Sequence, residues 1–412
     1  MTNNDVINAA FRIWGQELYK TTSLAKLAET LGVSKAALYR HFPDKQTLLD
    51  AMEERFYDDY AAAIKPAIEE TLKSSGKTGA DSSVDDGKWL EKLLSMVRFI
   101  SGYFARHFDY FIYSLIKLHG SKEHNFFNVE PLFKRGVSFK ELKLSFSAGE
   151  PSSLFLAGIT ALFGTSLFHK ERLGIKEGAL PKRLEKAWFT EPSEETILRF
   201  TEAITERVRF GLFFDRSLVD SLPYKELENR ETGFPAPPDP LLKAVAEAVA
   251  EEGPWNASME TVAKKSGLSK SGLYAHFKSK EDMLSRLFMT EFDRIAHYTT
   301  AHASTADVRE EQLYLAILSI TSYLKARPEI LVVLDWVRIQ RLELDLSATA
   351  ELFDFFAELK IGDQFESRWE NVSRWILFLL GGLLLRSSEK GVDYGSLRRM
   401  FRFICLGIEG LK

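Results

Sequence analysis

The sequence predicts an all-α chain built as two tandem units, and three observations carry that expectation. Apolar residues recur every three to four positions through runs such as EKLLSMVRFISGYFARHF and EEQLYLAILSITSYLKARPEI, while alternating stretches are few. The nonapeptide SKAALYRHF (Ser34–Phe42) returns as SKSGLYAHF (Ser269–Phe277), 235 residues further on. A proline-rich stretch, LPYKELENRETGFPAPPDP (Leu222–Pro240), lies between the copies. The 412 residues suit two domains, and 45% hydrophobic content with balanced charge suits packed cores rather than disorder.

Taken in order, DVINAAFRIWGQELY opens the chain with a helical pattern. Thr22 or Ser23 then caps a second helix, whose Leu24, Leu27, Ala28 and Leu31 form one apolar stripe. Gly32 ends it in a tight turn, and Ser34 caps a short third helix. On that helix Leu38 and Phe42 face inward, while Lys35, Ala36, Tyr39 and Arg40 share the opposite face. This is a helix-turn-helix, assigned to residues 1–50, and Lys45 opens the helix that follows. Residues 51–221 form the first helical effector and dimerisation domain, interrupted by the polar loop KSSGKTGADSSVDDGK (Lys73–Lys88). Its last two helices are expected over Ser153–Arg172 and Ser193–Phe213. Residues 222–240 are the linker, because five prolines and a glycine cannot continue a helix. A second helix-turn-helix occupies 241–287 and a second helical domain 288–412, ending in helices Trp369–Ser388 and Tyr394–Gly410.

Aligned at the constant offset, Thr22–Leu49 and Ala257–Leu284 share 11 of 28 residues without a gap. That length of offset fits duplication of a whole domain rather than a solenoid repeat. The net charge is −4, yet Lys20–Leu48 carries +3 and Trp255–Ser285 carries +2, leaving −9 on the remainder. The repeats are cationic patches on an acidic body. Small, basic and hydroxylated side chains on an exposed short helix suit the major groove of double-stranded DNA. Lys35, Tyr39, His41 and Lys45 are placed to meet phosphates.

TSLAKLAETLGVSKAALYRHFPDKQTLL and ASMETVAKKSGLSKSGLYAHFKSKEDML resemble the DNA-binding segment of the tetracycline-repressor (TetR) family of bacterial transcriptional regulators. The specific part is Gly–Val/Leu–Ser, then Leu–Tyr–x–His–Phe, then Lys, at fixed spacing. The resemblance covers about 50 residues per repeat, and the rest matches only as a helical pattern. It implies DNA contacts from Thr22, Ser34, Lys35, Ala36, Ala37, Tyr39, Arg40, His41 and Lys45 in the first copy. In the second copy it implies them from Ser258, Ser269, Lys270, Ser271, Gly272, Tyr274, His276 and Lys280. It also implies an all-helical ligand-binding domain, dimerisation through the last two helices, and a repressor released by a small-molecule effector. The copies depart from the family where Ala36 and Ser271 replace a frequent glycine. They depart from each other where Gly272 enters the second reading helix and Ala275 replaces Arg40.

A helix-turn-helix regulator presents two recognition helices about 34–36 Å apart, usually by dimerising. One chain with two modules is expected to form an intramolecular pseudo-dimer, its four terminal helices making one bundle. Gly158, Ala161, Gly164, Thr165, Gly381 and Gly382 are the small residues expected to let those helices approach. The other arrangement is a further homodimer with four reading modules. Because the two readers differ, the operator need not be a perfect palindrome.

The effector pocket is expected among aromatic residues, with Tyr103, His107 and Phe111 in the first half and Tyr323, Trp336 and Arg338 in the second. Core packing and surface ion pairing are the plainer readings of the same residues. No catalytic constellation, cofactor motif or metal-ligand spacing is present, so an enzyme is not expected. The alternative function is a helical ligand- or protein-binding module whose DNA binding has decayed. Cys405, the lone cysteine, reads as a core thiol. The start lacks a signal-peptide pattern, and the longest apolar runs, Leu154–Phe168 and Trp375–Leu385, fall short of a bilayer span. A cytoplasmic, non-membrane protein is the expectation.

Overall fold

A computed structural model describes residues 2–16, 23–74, 86–117, 130–139, 142, 153–172, 190–212, 214–230, 239–253, 257–333, 350–359, 369–386 and 393–411. Among the described residues there is no strand, and no helix is long and apolar enough to cross a membrane. The described residues up to 142, with 164–172 and 190–205, form one compact unit. The described residues of 153–163 and 206–411 belong to the other.

In the first unit, α1 (Asn3–Gln16) buries Val6, Ile7, Ala10, Phe11 and Ile13, one stripe at helical spacing. The short helices α2 (Leu24–Leu31) and α3 (Lys35–His41) follow, then the 30-residue α4 (Lys45–Ser74). Leu48, Met52, Phe56, Tyr60, Ile64 and Ile68 run as one buried seam along α4. Against it lie α5 (Asp86–Arg106), α6 (Phe108–Lys117) and the short α7 (Glu130–Lys134). Helices α8 (Ser153–Arg172) and α9 (Glu194–Phe210) each contribute to both units.

His169 on α8 is buried among Phe108, Phe111 and Phe168, and its Nε2–H donates to the carbonyl of Phe104 at 2.8 Å. Burial disfavours its charged form and holds its pKa down to about 4. An unfolded histidine titrates near 6.5. Its neutral-state contribution is therefore complete above about pH 6.5 and is lost as pH falls toward 4, where the unfolded chain binds the proton first. The first unit is expected to lose roughly 2 kcal/mol between pH 7 and pH 5 through this group. Urea melts at the two pH values should show that loss, and His169→Gln, which keeps a donor for Phe104, should remove most of it.

The second unit begins with the short helices α10 (Arg216–Ser221) and α11 (Tyr224–Glu228). It continues with α12 (Pro240–Glu252), α13 (Met259–Lys265), α14 (Lys270–His276), α15 (Lys280–Ala303) and α16 (Arg309–Ala326). It ends with α17 (Ala350–Glu358), α18 (Trp369–Arg386) and α19 (Tyr394–Leu406). Helices α15 and α16 pack along each other, and between them Arg327 and Glu291 form a buried ion pair at 2.9 Å. Cys405 is fully buried, and burial pushes its thiol up.

The stretch read as a linker is partly folded. Residues 224–228 make the turn of α11, with Pro223 at its N-cap, where no N–H is needed. Leu227 is buried, and the Glu228 carboxylate accepts from Tyr314 Oη at 2.6 Å and from Arg398 Nε at 2.7 Å. The remaining prolines are later: Pro235, Pro237 and Pro238 lie outside the described residues, and Pro240 takes the first position of α12 behind the Asp239 cap.

Within this second unit the start of α8 and the end of α9 meet α18 and α19. Trp375 Nε1–H donates to Thr160 Oγ1 at 3.0 Å, Phe163 and Phe378 rings lie 5.5 Å apart, and Arg207 sits over Trp375. Gly211, just past α9, and Gly407, just past α19, both hold positive φ (62° and 64°) and touch each other. A β-carbon on Gly211 would stand 2.5 Å from Gly407 N, and one on Gly407 would overlap the Arg209 carbonyl. Backbone bonds cross at this point, from Leu212 N to Ile404 O at 2.9 Å and from Phe214 N to Cys405 O at 3.1 Å. Of the small residues expected to bring helices together, Gly164 does so in the first unit, pressed on Ile204 of α9. Gly158 and Gly381 do not: among the described residues nothing lies within 4 Å of a β-carbon placed on either.

Candidate nucleic-acid interface

The first module is set by its caps. Ser23 is the N-cap of α2, its Oγ accepting from Lys26 N at 3.2 Å, so the choice between Thr22 and Ser23 falls on Ser23. Thr22 itself lies outside the described residues. Gly32 takes the left-handed conformation (φ 66°), and Val33 N bonds back to Ala28 O at 2.9 Å. Two residues later Ser34 Oγ accepts from Ala37 N at 3.2 Å and starts α3. Leu38 and Phe42 are 0% and 3% exposed, so α3 is pinned by its inner face.

The outer face then presents Lys35, Ala36, Tyr39 and Arg40, all exposed, with Ala37, His41 and Lys45 half-buried at its edges. Tyr39 leaves 47% of its surface to solvent. His41 Nδ1–H donates to Asn3 Oδ1 at 2.7 Å, tying the end of α3 to the start of α1. An open cleft between α2 and α3 is lined by Ser23, Ala25, Lys26, Glu29 and Lys35. Hydroxyl, phenol, ammonium and guanidinium groups thus share one surface, over a helix narrow enough for a major groove.

The second module repeats the frame. Ser258 caps α13 by accepting from Thr261 N at 3.2 Å, and Ser269 caps α14 by accepting from Gly272 N at 2.9 Å. Gly267 is left-handed at φ 72°, and Leu273 is fully buried. Lys270, Ser271, Tyr274 and His276 are exposed, and Tyr274 leaves 43% of its surface to solvent. Gly272 is half-buried, as is Lys280, whose pKa burial lowers. Tyr39 and Tyr274 thus stand exposed at equivalent positions, each on a short helix whose leucine is buried.

Of the expected effector-pocket residues that are described, Tyr103, Phe111 and Tyr323 are buried and His107 is half-buried. Tyr103 packs edge-on to Tyr60 at 4.9 Å and against His107 at 4.6 Å, and Phe111 is 1% exposed beside Phe104. Among the described residues the buried Tyr103 hydroxyl has no hydrogen-bond partner, and burial lowers the His107 pKa. Tyr323 Oη donates to Glu291 Oε2 at 2.9 Å within the Arg327 pair. Trp336 and Arg338 lie outside the described residues. Glu291 and Arg327 escaped sequence reading, because a charge pair 36 residues apart on apolar helices leaves no local pattern. Among the described residues no group of three His, Cys, Asp or Glu side chains is placed to hold a metal ion.

Comparison with known proteins finds the family described as bacterial regulatory proteins, tetR family, matched at residues 6–52 and again at 241–287. A curated relative, the nucleoid occlusion factor SlmA of Citrobacter koseri, is 40% identical over 53 residues. That match spans 13% of this chain and 27% of the relative's length.

Proposed function

We propose that this chain, in which the tetR-family domain is matched twice in tandem at residues 6–52 and 241–287, is a sequence-specific transcriptional regulator of double-stranded DNA. The observation that carries the reading is the pair of exposed Lys–x–x–x–Tyr faces, Lys35/Tyr39 and Lys270/Tyr274, each on a short helix capped by serine and pinned by a buried leucine. Its finer form is a repressor released by a small molecule. The buried Tyr103 hydroxyl, which has no hydrogen-bond partner among the described residues, supports an effector there, since a buried polar group left unmet costs about 1–3 kcal/mol.

The chain is further proposed to act as its own dimer. Support comes from the reciprocal contact of Gly211 and Gly407, which stand at equivalent places after the last long helix of each half. Two unlike readers in one chain favour an asymmetric operator. Selection from randomised duplexes is expected to return an imperfect inverted repeat, better specified in the half under the first module, with one chain per duplex. A perfect inverted repeat overturns the asymmetry. Absence of any salt-dependent affinity overturns the regulator reading and leaves a helical module whose DNA binding has decayed.

A further inference from the structure

We propose that Glu260 lowers the grip of the second reading helix on DNA, making the second module the subordinate reader. The inference rests on the DNA-binding reading above. Glu260 stands in the first turn of α13, at the place the first module gives to Ala25. Its Oε2 lies 3.9 Å from Lys270 Nζ, the first residue of α14. Both side chains are exposed, so the carboxylate lies in solvent beside the lysine that would meet DNA.

The first module has nothing equivalent. Lys35 makes no ion pair among the described residues, and Ala25 leaves the cleft beside it without a carboxylate at that corner. Glu29 lines the same cleft, and the second module has Lys264 there instead. Net local charge is therefore similar, and what differs is which charge neighbours the reading-helix lysine. Two further differences point the same way. Arg40 becomes Ala275, and the Asn3 that holds His41 is replaced at the same offset by Pro238, which has no side-chain acceptor.

The physical consequence follows from competition. Lys270 can meet a phosphate only by sharing its charge with Glu260 or leaving it, and the freed carboxylate then repels that phosphate. At 0.1 M salt the Debye length is about 10 Å, so a carboxylate beside the contact is not screened from it. Glu260 thus removes the equivalent of about one phosphate contact.

The test uses the full chain carrying Lys35→Ala and Arg40→Ala, which silences the first face and leaves the second to report. The probe is a mixed-sequence 40-base-pair duplex, titrated from 50 to 200 mM KCl. Adding Glu260→Ala, or Glu260→Gln to retain the side-chain length, is expected to raise affinity by roughly threefold to tenfold and steepen the log–log salt slope by about one. Ala25→Glu in the otherwise unchanged chain should do the reverse. Thermal melts should agree across the set, since every altered group is exposed or small. Unchanged or reduced affinity on removing Glu260 overturns the proposal, as does no binding with or without Glu260 while the parent chain binds. A parent chain without salt-dependent affinity instead overturns the DNA-binding reading, and this inference falls with it.

Discussion

Alanine at both Lys35 and Tyr39 is expected to lower affinity for a selected operator by roughly 100-fold, with the melting curve unchanged. Both side chains are exposed, and neither is bonded within the protein among the described residues. Their removal therefore costs the fold little, since exposed substitutions away from special features stay within about 0.5 kcal/mol. The frame beneath them, with Ser34 capping and Leu38 fully buried, remains as it was. On the proposed reading the two are expected to act together on DNA: Lys35 at the start of α3 would supply charge, and Tyr39 one turn on a phenol able to donate to phosphate or lie against a thymine methyl. Gel shift or fluorescence anisotropy with a salt series measures both parts, because losing the lysine should also flatten the salt slope by about one. The matching pair Lys270→Ala with Tyr274→Ala is expected to cost less, as Lys270 already faces Glu260. Equal losses would refute the ranking of the two modules. No loss on altering the first pair would remove α3 from the interface.

What the sequence reveals of this molecule depends on how far apart the interacting residues are. The caps at Ser34 and Ser269, the left-handed turns at Gly32 and Gly267, and the buried leucines of both reading helices are local, and the sequence displays them directly. The four terminal helices are also legible. Their observed bounds, Ser153–Arg172, Glu194–Phe210, Trp369–Arg386 and Tyr394–Leu406, differ from expectation by no more than a few residues at the ends. Features built from remote partners are not. Nothing near Glu228 signals that Arg398 and Tyr314 would hold it, so the turn of α11 hides inside a stretch that composition assigns to linker. Glycine content alone misplaces the close approach. Gly158 and Gly381 sit in apolar helices with no close neighbour among the described residues at the β-carbon position, while Gly211 and Gly407 carry the crossing. The local clue was there in a weaker form, since each of the latter stands just past a helix end, where glycine commonly closes a helix.

Gly407→Val is expected to unfold the second unit's terminal helices from their partners and to lower stability by about 4 kcal/mol or more. Three costs act at one point. A β-branched residue at φ 64° is strained by roughly 1–2 kcal/mol before any contact is counted. Its β-carbon overlaps the backbone of Arg209 and Phe210, which unlike a side chain cannot swing away. Separation of the two segments then breaks the bonds from Leu212 N to Ile404 O and from Phe214 N to Cys405 O, each worth about 1 kcal/mol. It also opens the buried Leu212 and Ile404 to water. For a unit of this size the melting midpoint should fall by roughly 10 °C. Gly158→Ala provides the contrast, because open space and a helical backbone there make alanine neutral or stabilising by up to about 1 kcal/mol. The pair separates a general intolerance of larger residues from a specific crossing. If Val at Gly407 melts like the parent chain, the crossing is not what joins the ends of α9 and α19. If it melts early and DNA binding is lost with it, the contact between the two equivalent helix ends is part of what presents the readers, as a chain acting as its own dimer requires.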